Sequence, residues 1–393
     1  MPGRLFLIVM DSVGIGSAPD AHEYGDEGAA TLPHIAQSTG GICLPTFESL
    51  GLANIQSLLP DQGLIPGVSP VTTPKASWGA MRERSEGKDT ITGHWEIAGL
   101  FLDPGFSLFP HQIPAFPREL LQEFESKTGR KILGNCHGSG TEMINRFGEQ
   151  AYREKAFICY TSADSVFQIA AHVDCIPLEE LYQACKIARK LCDPLRIGRV
   201  IARPYRGEPG AYERTSDRVD YAFETEEQTI LQHLEQHGIA VYGVGKIEDI
   251  FAQRGITESW HTGNNAASMA QTDALLQERE EGFVFANFID FDMMYGHRRD
   301  PKGYAACLEH MDAWLAKAIP KLREGDVMIL TADHGNDPTF KGTDHTREYV
   351  PLLVIHPGKD PRPLGIRDGF YDIAQSVASY FGVPEMPLGK SFL

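Results

Sequence analysis

The chain has 393 residues, of which 42% are hydrophobic and 23% are charged, a composition typical of folded globular proteins. Its formal net charge of −17 argues against broad binding to nucleic acid or to an anionic membrane surface. An anionic substrate would therefore need positive charge from metal ions or from a few basic side chains. The length exceeds the usual single-domain range, so we expect two domains.

The first predicted strand covers residues 5–10, a continuous apolar run typical of a strand buried on both faces. Only one arginine precedes this run and Asp11 ends it, which is not the pattern of a secretory signal. No apolar stretch approaches the ~18 residues of a membrane span. We therefore expect a cytoplasmic protein that contacts neither membrane nor nucleic acid. The sequence implies no obligate protein partner and leaves the oligomeric state open.

The middle of the chain has a different pattern from its two ends. A proline-rich passage up to residue 117 leads into a segment with its own helices and strands. In chain order these are a helix at 118–128, a strand at 156–160, a helix at 178–192 and a strand at 199–202. A turn-rich stretch at 206–210 follows. We therefore predict that residues 102–221 form an α+β domain, inserted into a core made of residues 1–101 and 222–393.

Strands and helices alternate again in the last part of the chain. The predicted elements are helix 226–237, strand 238–244, helix 269–280, strand 283–289, helix 304–322, strand 327–330 and strand 351–355. Such an order is typical of an α/β protein with a mostly parallel sheet flanked by helices. The core is therefore predicted to be of this class.

Side chains that can bind metals follow several predicted strands. They are Asp11, Asp292, His297, Asp333, His334 and His345. A single Asp after a strand is more often a helix cap or turn residue, and a single His is more often an ordinary surface residue. Parallel strands, however, bring their carboxyl ends to one edge of a sheet. Six such residues at strand ends therefore favour a metal site, with Gly335 expected to bend the chain after Asp333 and His334.

Six carboxylate and imidazole ligands are too many for one catalytic ion with an open coordination position. They suit two ions about 3.5–4 Å apart that grip the attacking and leaving oxygens of a phosphoryl transfer. No thiolate is in the set, so Mn²⁺, Mg²⁺ and Zn²⁺ all remain open, and the three histidines favour Mn²⁺ or Zn²⁺ over Mg²⁺.

A nucleophile is suggested by residues 87–96, where a glycine turn precedes hydroxyl residues at a possible helix start. A threonine there would lie at the positive end of the helix dipole, which also favours a bound phosphate. Local sequence makes simple N-capping the more common role for such a residue. Thr90 and Thr92 have the same chemistry, and local reasoning leaves the choice between them open.

Eight stretches of the chain form a series of motifs: VMDSVGIG (9–16), GKDTITGHWE (87–96), YTSADSVFQIAAH (160–172), GRVIARPY (198–205), GKIEDI (245–250), DFDMMYGHRRDP (290–301), TADHGNDP (331–338) and GTDHTREYVPLL (342–353). In this order they resemble stretches of the prokaryotic two-metal phosphopentomutases of the alkaline phosphatase superfamily. The second and sixth stretches are long enough to make chance matches improbable. The resemblance implies an alkaline-phosphatase-like core with an inserted α+β cap domain.

The resemblance also implies roles for individual residues. Thr90 would be the phosphorylated nucleophile. The metal ligands it implies are Asp11, Thr90, Asp333 and His334 at one site and Asp292, His297 and His345 at the other. The substrate residues it implies are Ser162, Asp164 and Arg199 of the cap, beside Ile201, with Lys246 of the core and either Arg214 or Arg218.

The activity implied is that of a phosphopentomutase, which interconverts the 1- and 5-phosphates of ribose or deoxyribose through a phosphothreonine and a bisphosphate intermediate. Two divalent ions, Mn²⁺ in this family, and a hexose bisphosphate activator such as glucose 1,6-bisphosphate are implied with it. Alternatives are a cofactor-independent phosphoglycerate mutase, with a serine nucleophile and a larger insertion, and a metal-dependent phosphatase or phosphodiesterase. A non-catalytic sugar-phosphate binding protein would leave the ligand set unexplained.

Overall fold

The computed structural model describes residues 3–162, 165–223 and 227–393. Within them the strands are β1 (Arg4–Met10), β2 (Ser77–Met81), β3 (Ile132–His137), β4 (Phe157–Thr161), β5 (Val166–His172), β6 (Arg199–Arg206), β7 (Glu213–Arg214), β8 (Val219–Ala222), β9 (Val241–Val244), β10 (Glu258–Trp260), β11 (Gly282–Phe288), β12 (Val327–Thr331), β13 (Val350–Ile355) and β14 (Pro363–Arg367). The α-helices are α1 (Thr31–Ser38), α2 (Pro45–Leu50), α3 (Thr90–Ile97), α4 (Arg118–Thr128), α5 (Gly140–Glu154), α6 (Leu178–Cys192), α7 (Ile230–Gln236), α8 (Ile247–Ile250), α9 (Asn265–Glu278), α10 (Pro301–Ala318) and α11 (Asp372–Phe381).

The chain divides into two compact units. One consists of Met1–Pro104 together with Glu226–Leu393, and the other of Gly105–Thr225. We refer to them as the core unit and the inserted unit. No helix among the described residues is both long enough and apolar enough to cross a bilayer.

The core unit contains a sheet whose described strands lie in the order β10-β9-β11-β1-β12-β13-β2-β14. Neighbouring strands are parallel except where β13 pairs with β12 and with β2, so β13 alone among them runs in the opposite direction. Every residue of β1, β11 and β12 is buried, which is typical of strands covered on both faces. Each large apolar side chain removed from water in this way stabilises the fold by roughly 1.5–3 kcal/mol.

Three adjacent strands at the centre of this sheet end at the same edge. Strand β1 is followed directly by Asp11, and β12 is followed two residues later by Asp333. Strand β11 leads into a π-helical turn, Phe291–Gly296, that carries Asp292. Turns of this kind are rare and occur frequently at functional sites. The topology therefore brings three carboxylates from distant parts of the sequence to one edge.

The inserted unit has its own mixed sheet, with described strands in the order β3-β4-β5-β6-β7 and β8 also paired to β6. Helices α4 and α6 contribute Phe124 and Leu181 to one apolar cluster of this unit. Helix α5 contributes Met143 and Ile144 to a second cluster. The sheet therefore has separate apolar cores, one built with α4 and α6 and the other with α5.

Most predicted elements are present, with shifted ends. Helix α7 begins at Ile230 rather than near residue 226, because Thr229 caps it in a capping box with Gln232. The strand expected at 238–244 begins at Val241, since Gly238 adopts a positive φ of 74° just after the helix. Strands β2 and β14 were not predicted, because neither contains an apolar run.

Candidate active site

One group of candidate metal ligands consists of Asp11, Asp333 and His334, whose ligand atoms all lie within 4.8 Å of one another. The Nε2 atom of His334 is 3.6 Å from Asp11 Oδ1 and 3.4 Å from Asp333 Oδ2. All three side chains are buried. Because Asp333 and His334 lie beyond the end of β12, neighbouring residues can face the same site.

Two oxygens of this group have no hydrogen-bond partner among the described residues, although both are buried. They are Asp11 Oδ1 and Asp333 Oδ2. Burial, reinforced by the charges of Asp333 and Asp292, raises the pKa of Asp11 to about 7. Buried carboxylate oxygens without donors are costly unless a cation compensates them. The donor set therefore fits a divalent metal ion.

The remaining oxygens of these carboxylates are held by neighbouring donors. Asn287 Nδ2 donates to Asp11 Oδ2 at 2.9 Å, and the backbone N–H of Ser12 donates to Asp333 Oδ1 at 3.0 Å. His94 Nδ1 faces the carbonyl of Thr90 at 2.8 Å and lies 3.1 Å from Asp333 Oδ2, a charge contact that leaves this oxygen without a hydrogen bond among the described residues. Outer partners of this kind orient metal ligands and tune their basicity. Burial opposes ionisation of Asp333, but the charges of the nearby histidines outweigh it and lower the pKa of this carboxyl.

The second group consists of Asp292, His297 and His345. Asp292 Oδ2 is 3.0 Å from His297 Nε2, and its Oδ1 is 3.5 Å from His345 Nε2. The two Nε2 atoms lie 3.1 Å apart. His297 is the exposed member, and its Nδ1 faces the carbonyl of Thr343 at 2.8 Å, so Nε2 points to the shared centre.

The electrostatics of the second group favour an ionised Asp292. Burial would raise the pKa of this carboxyl, but the charges and hydrogen bonds of His345 and His297 hold it well below its usual range. Asn336, which is fully buried, donates from Nδ2 to Asp292 Oδ1 at 2.7 Å and fixes the carboxylate. A bound divalent cation would likewise supply positive charge that favours the ionised form of Asp292.

The two groups are neighbours. The imidazole rings of His334, from the first group, and His345, from the second, stack with centroids 4.0 Å apart. The two candidate ligand groups therefore adjoin each other.

Thr90 is the first residue of α3, and Asp89, not Thr90, is the N-cap. The Asp89 side chain accepts from the N–H groups of Ile91 and Thr92, and its Oδ2 also accepts from the Thr92 hydroxyl at 2.6 Å. The Thr90 hydroxyl lies instead 3.2 Å from His334 Nε2. The capping role that local sequence favoured for Thr90 is therefore wrong, and its hydroxyl faces the first ligand group.

Close packing holds α3 against the end of β12. A Cβ built on Gly93 would lie only 2.3 Å from the backbone oxygen of Asp333, so only glycine allows this approach. Gly335 has a different role from the expected one. It is not among the residues with positive φ, and a Cβ there would lie 2.3 Å from Glu348 Oε1. This position therefore needs glycine for space rather than for a left-handed bend.

A buried arginine organises the segment that leads to Thr90. Arg347 Nη1 donates to Glu83 Oε2 at 2.7 Å and to the carbonyl of Ser85 at 2.8 Å, and it also reaches the carbonyl of Gly87 at 2.6 Å. The guanidinium is further paired with Asp20. These contacts fix residues 83–87 just before the candidate nucleophile. Sequence reasoning gave Arg347 no role.

Lys246 lies in the core unit, between β9 and α8, where it precedes Ile247. Its positive charge acts on Asp11 and partly offsets the effects that raise the pKa of that carboxyl. Lys246 is thus near the first ligand group, in the turn that follows β9, the strand next to β11.

The other expected substrate residues belong to the inserted unit. Ser162 follows β4, and its Oγ accepts from Gln168 Nε2 at 3.4 Å. Arg199 begins β6, and the buried Ile201 lies on the same face of that strand. Asp164 lies outside the described residues.

The two arginines that the sequence left as alternatives differ in their environment. Arg218 forms a two-pronged pair with Asp220, at 2.6 Å from both Nε and Nη2, and Arg199 also reaches Asp220 at 3.4 Å. Arg214 lies exposed in the short strand β7.

Sequence reasoning missed several polar residues that hold the ligands. Asn336 and His94 lie inside stretches that had already been singled out, and Asn287 is a fully buried amide within an apolar strand. A polar residue within an otherwise apolar strand indicates a buried hydrogen bond, and this could have pointed to Asn287. Their partners could not be read from sequence because they lie in other elements.

Comparison with known proteins matches residues 3–385 to the metalloenzyme superfamily. A phosphopentomutase from Caldanaerobacter subterraneus subsp. tengcongensis is 49% identical, over 99% of this chain and 97% of the relative. One from Thermotoga petrophila is 50% identical, over 99% of this chain and 98% of the relative.

Among solved structures, a phosphoglycerate mutase from Leishmania mexicana aligns with a TM-score of 0.51 at 14% identity, covering 99% of this chain and 97% of the other. A protein from Pyrococcus horikoshii aligns with a TM-score of 0.50 at 15% identity, covering 98% of each chain. At such identities the likeness concerns the fold. Together with the sheet topology and the inserted unit, it confirms the expected fold class, an α/β core with a mostly parallel sheet and an α+β insertion. The near-complete coverage by relatives at 49–50% identity decides the family: the chain belongs to the phosphopentomutases, enzymes of the metalloenzyme superfamily.

Proposed function

We propose that the protein interconverts the 1-phosphate and 5-phosphate of ribose or deoxyribose through a phosphorylated Thr90. The observation that carries this proposal is the position of the Thr90 hydroxyl. It lies at the start of α3, 3.2 Å from His334 Nε2, beside two buried carboxylate oxygens that have no donor among the described residues. Relatives of nearly the same length that are named phosphopentomutases support the choice of substrate.

The residues present would hold two divalent cations, Mn²⁺ in this proposal. One site comprises Asp11, Thr90, Asp333 and His334 and the other Asp292, His297 and His345. When bound, the cations supply charge that stabilises the transferring phosphoryl group and lowers the pKa of the threonine hydroxyl.

The chain's own groups prepare the transfer. The Thr90 oxygen lies at the amino end of α3, where the helix dipole favours a phosphoryl group. Phospho-Thr90 transfers its phosphoryl group to the free C1 hydroxyl of a pentose 5-phosphate, or to the C5 hydroxyl of a pentose 1-phosphate. This gives the 1,5-bisphosphate and leaves Thr90 as the hydroxyl. Return of the other phosphoryl group to Thr90 completes the exchange.

The proposal extends to substrate binding and priming. Ser162, Asp164 and Arg199 of the inserted unit and Lys246 of the core unit are the proposed substrate residues, and Arg199 and Lys246 would supply local positive charge in a chain of net charge −17. A hexose bisphosphate such as glucose 1,6-bisphosphate would phosphorylate Thr90 before the first turnover.

The test is an assay of the purified protein with Mn²⁺, ribose 1-phosphate and catalytic glucose 1,6-bisphosphate. Ribose 5-phosphate is the expected product. Release of free phosphate would indicate a phosphatase, and turnover of 3-phosphoglycerate instead would indicate a phosphoglycerate mutase. Either result would overturn the proposal.

Substitution of Thr90 tests the nucleophile. Thr90→Ala should lower turnover by about 10³-fold or more, while Thr90→Ser should retain measurable activity because it keeps a hydroxyl. Stability should change little, since Asp89 is the cap of α3. Phosphate should be found on Thr90 in peptides from the primed enzyme. Full activity of Thr90→Ala, or phosphate on Thr92 instead, would contradict the assignment.

A further inference from the structure

The inserted unit concentrates positive charge around one buried tyrosine. Burial raises the pKa of the Tyr160 hydroxyl, and the charges of Arg203, Arg214 and Arg218 offset only part of that rise. Asp220 is the carboxylate on which Arg199, Arg203 and Arg218 act, and Arg218 already holds both of its oxygens. In a chain of net charge −17, such a local excess of arginine requires an explanation.

Only part of the Arg203 guanidinium is hydrogen-bonded to described residues. Its Nε donates to Gln168 Oε1 at 3.1 Å, and its terminal nitrogens make no hydrogen bond to any described residue. Burial and the charges of Arg218 and Arg214 lower its pKa to about 10. A guanidinium held in this way has unused donors in a planar fork, which is the geometry that binds phosphate oxygens.

The Tyr160 hydroxyl is a second unsatisfied donor at the same place. Tyr160 is fully buried, and its hydroxyl has no hydrogen-bond partner among the described residues. A buried hydroxyl without a partner destabilises a fold, and most such groups are satisfied. Its position therefore calls for a partner that the described residues do not provide.

The amino end of α5 adjoins this hydroxyl. A Cβ built on Gly140, the first residue of this 15-residue helix, would lie 2.6 Å from the Tyr160 oxygen and 3.5 Å from Arg214 Nη1. The N–H of Glu142 is capped by Ser139, whereas those of Gly140 and Thr141 have no acceptor within the helix. The helix dipole adds positive potential here.

We propose that Arg203, the Tyr160 hydroxyl and the first turn of α5 bind the phosphate group of a phosphate monoester. All three elements present donors or positive charge, and no acidic side chain among the described residues accepts from the terminal nitrogens of Arg203. The family resemblance assigns a role to neither Arg203 nor Tyr160. The inference rests on the proposed function for the identity of the ester, which is either a pentose phosphate or the hexose bisphosphate activator.

Two substitutions test the site, both in the full-length protein with Mn²⁺ bound. Arg203→Met removes the charge and keeps the stem, and Tyr160→Phe removes only the hydroxyl. Arg206→Met, at the exposed end of the same strand, and Tyr152→Phe are the matched controls. Arg203→Lys should recover part of the binding.

We expect either test substitution to raise the KM for ribose 5-phosphate, or the concentration of glucose 1,6-bisphosphate needed for half-activation, by about tenfold or more. Turnover at saturation should stay within about threefold. A rise in KM alone identifies the pentose phosphate as ligand, and a rise in the activation constant alone identifies the bisphosphate. Tyr160→Phe should not lower thermal stability, because the lost hydroxyl has no hydrogen-bond partner among the described residues. If the Tyr160 hydroxyl only stabilised the fold, Tyr160→Phe would lower the thermal stability. Unchanged stability together with weaker ligand binding would therefore exclude a purely structural role.

Binding measured without turnover separates this inference from the proposed function. In a Thr90→Ala background, titration calorimetry with ribose 5-phosphate and with glucose 1,6-bisphosphate should show weaker binding of at least one ligand after Arg203→Met. If the wild type lacks mutase activity but this difference persists, the proposed function fails and the site stands. If the wild type is active and all constants of the folded variants stay within twofold of wild type, the site is refuted.

Discussion

Asp11→Asn should stabilise the metal-free protein at alkaline pH although it removes a candidate metal ligand. Asp11 is 1% exposed, and its Oδ1 has no donor among the described residues. Burial and the charges of Asp333 and Asp292 raise its pKa to about 7. The unfolded chain releases this proton near its ordinary pKa of ~3.9. The folded state therefore keeps a proton that the unfolded state has lost.

The sign and size of the effect follow from this difference. Between about pH 4 and about pH 7 the folded protein binds more protons than the unfolded one, so native stability falls as the pH rises. Each pH unit costs about 1.4 kcal/mol, and the whole interval costs at most about 4 kcal/mol. Above about pH 7 the loss is complete. Asparagine has nearly the same shape as aspartic acid but does not ionise, so the Asp11→Asn variant does not undergo this loss of stability as the pH rises.

Urea denaturation of chelator-treated protein measures this directly. From about pH 5.5 to about pH 8.5, the unfolding free energy of Asp11→Asn relative to wild type should rise by about 2 kcal/mol. With saturating Mn²⁺ the order should reverse, because the wild type then gains binding free energy that the variant lacks.

The matched control is Asp312→Asn, another buried carboxylate. Its oxygens accept from the N–H groups of Thr46 and Phe47, so this substitution should bring no gain at alkaline pH. If Asp11→Asn shows no pH-dependent gain over wild type, or if Mn²⁺ stabilises both proteins equally, Asp11 is not a strained ligand of a metal site.

Two further substitutions test the groups around the ligands. Asn336→Leu removes the donor to Asp292 Oδ1 and should weaken binding of one equivalent of Mn²⁺ by about 10–100-fold in a metal titration; unchanged affinity for both equivalents would contradict the role. Arg347→Met should lower the unfolding free energy in urea by about 3–5 kcal/mol, because Glu83 stays buried without its cation. Adding Glu83→Gln should restore part of that loss, and a loss below about 1 kcal/mol in the single variant would show that the pair is not needed.

The fold could be predicted where a strand is buried on both faces. Runs of apolar residues at 5–10 and 283–289 correspond to β1 and β11, because central strands of a parallel sheet bury every side chain. Strand β2 contains Trp78 and Gly79 without an apolar run, and β14 is partly exposed. These two strands depend on pairing with distant segments, β2 with β13 and β14 with β2, which local patterns do not contain.

The candidate site, like the fold, could be predicted from the sequence only in part. Sequence named the ligand types at strand ends but could not choose between Thr90 and Thr92 without the resemblance. In the structure, Asp89 engages the Thr92 hydroxyl, and the Thr90 hydroxyl faces His334. Helix geometry and a contact across more than two hundred residues create this difference, so no local pattern could contain it.

Sequence by itself determined the α/β class, the residue types at the sheet edge and the resemblance to phosphopentomutases, because periodicity and motif spacing are local properties. The tertiary structure decided which atoms lie within reach of one another. It brought Asp11 and Asp333 together with unsatisfied oxygens, stacked His334 on His345, and placed Arg347 behind the segment leading to Thr90. Such contacts join strands and loops far apart in the chain, and only their packing fixes the distances on which charge and hydrogen bonding depend.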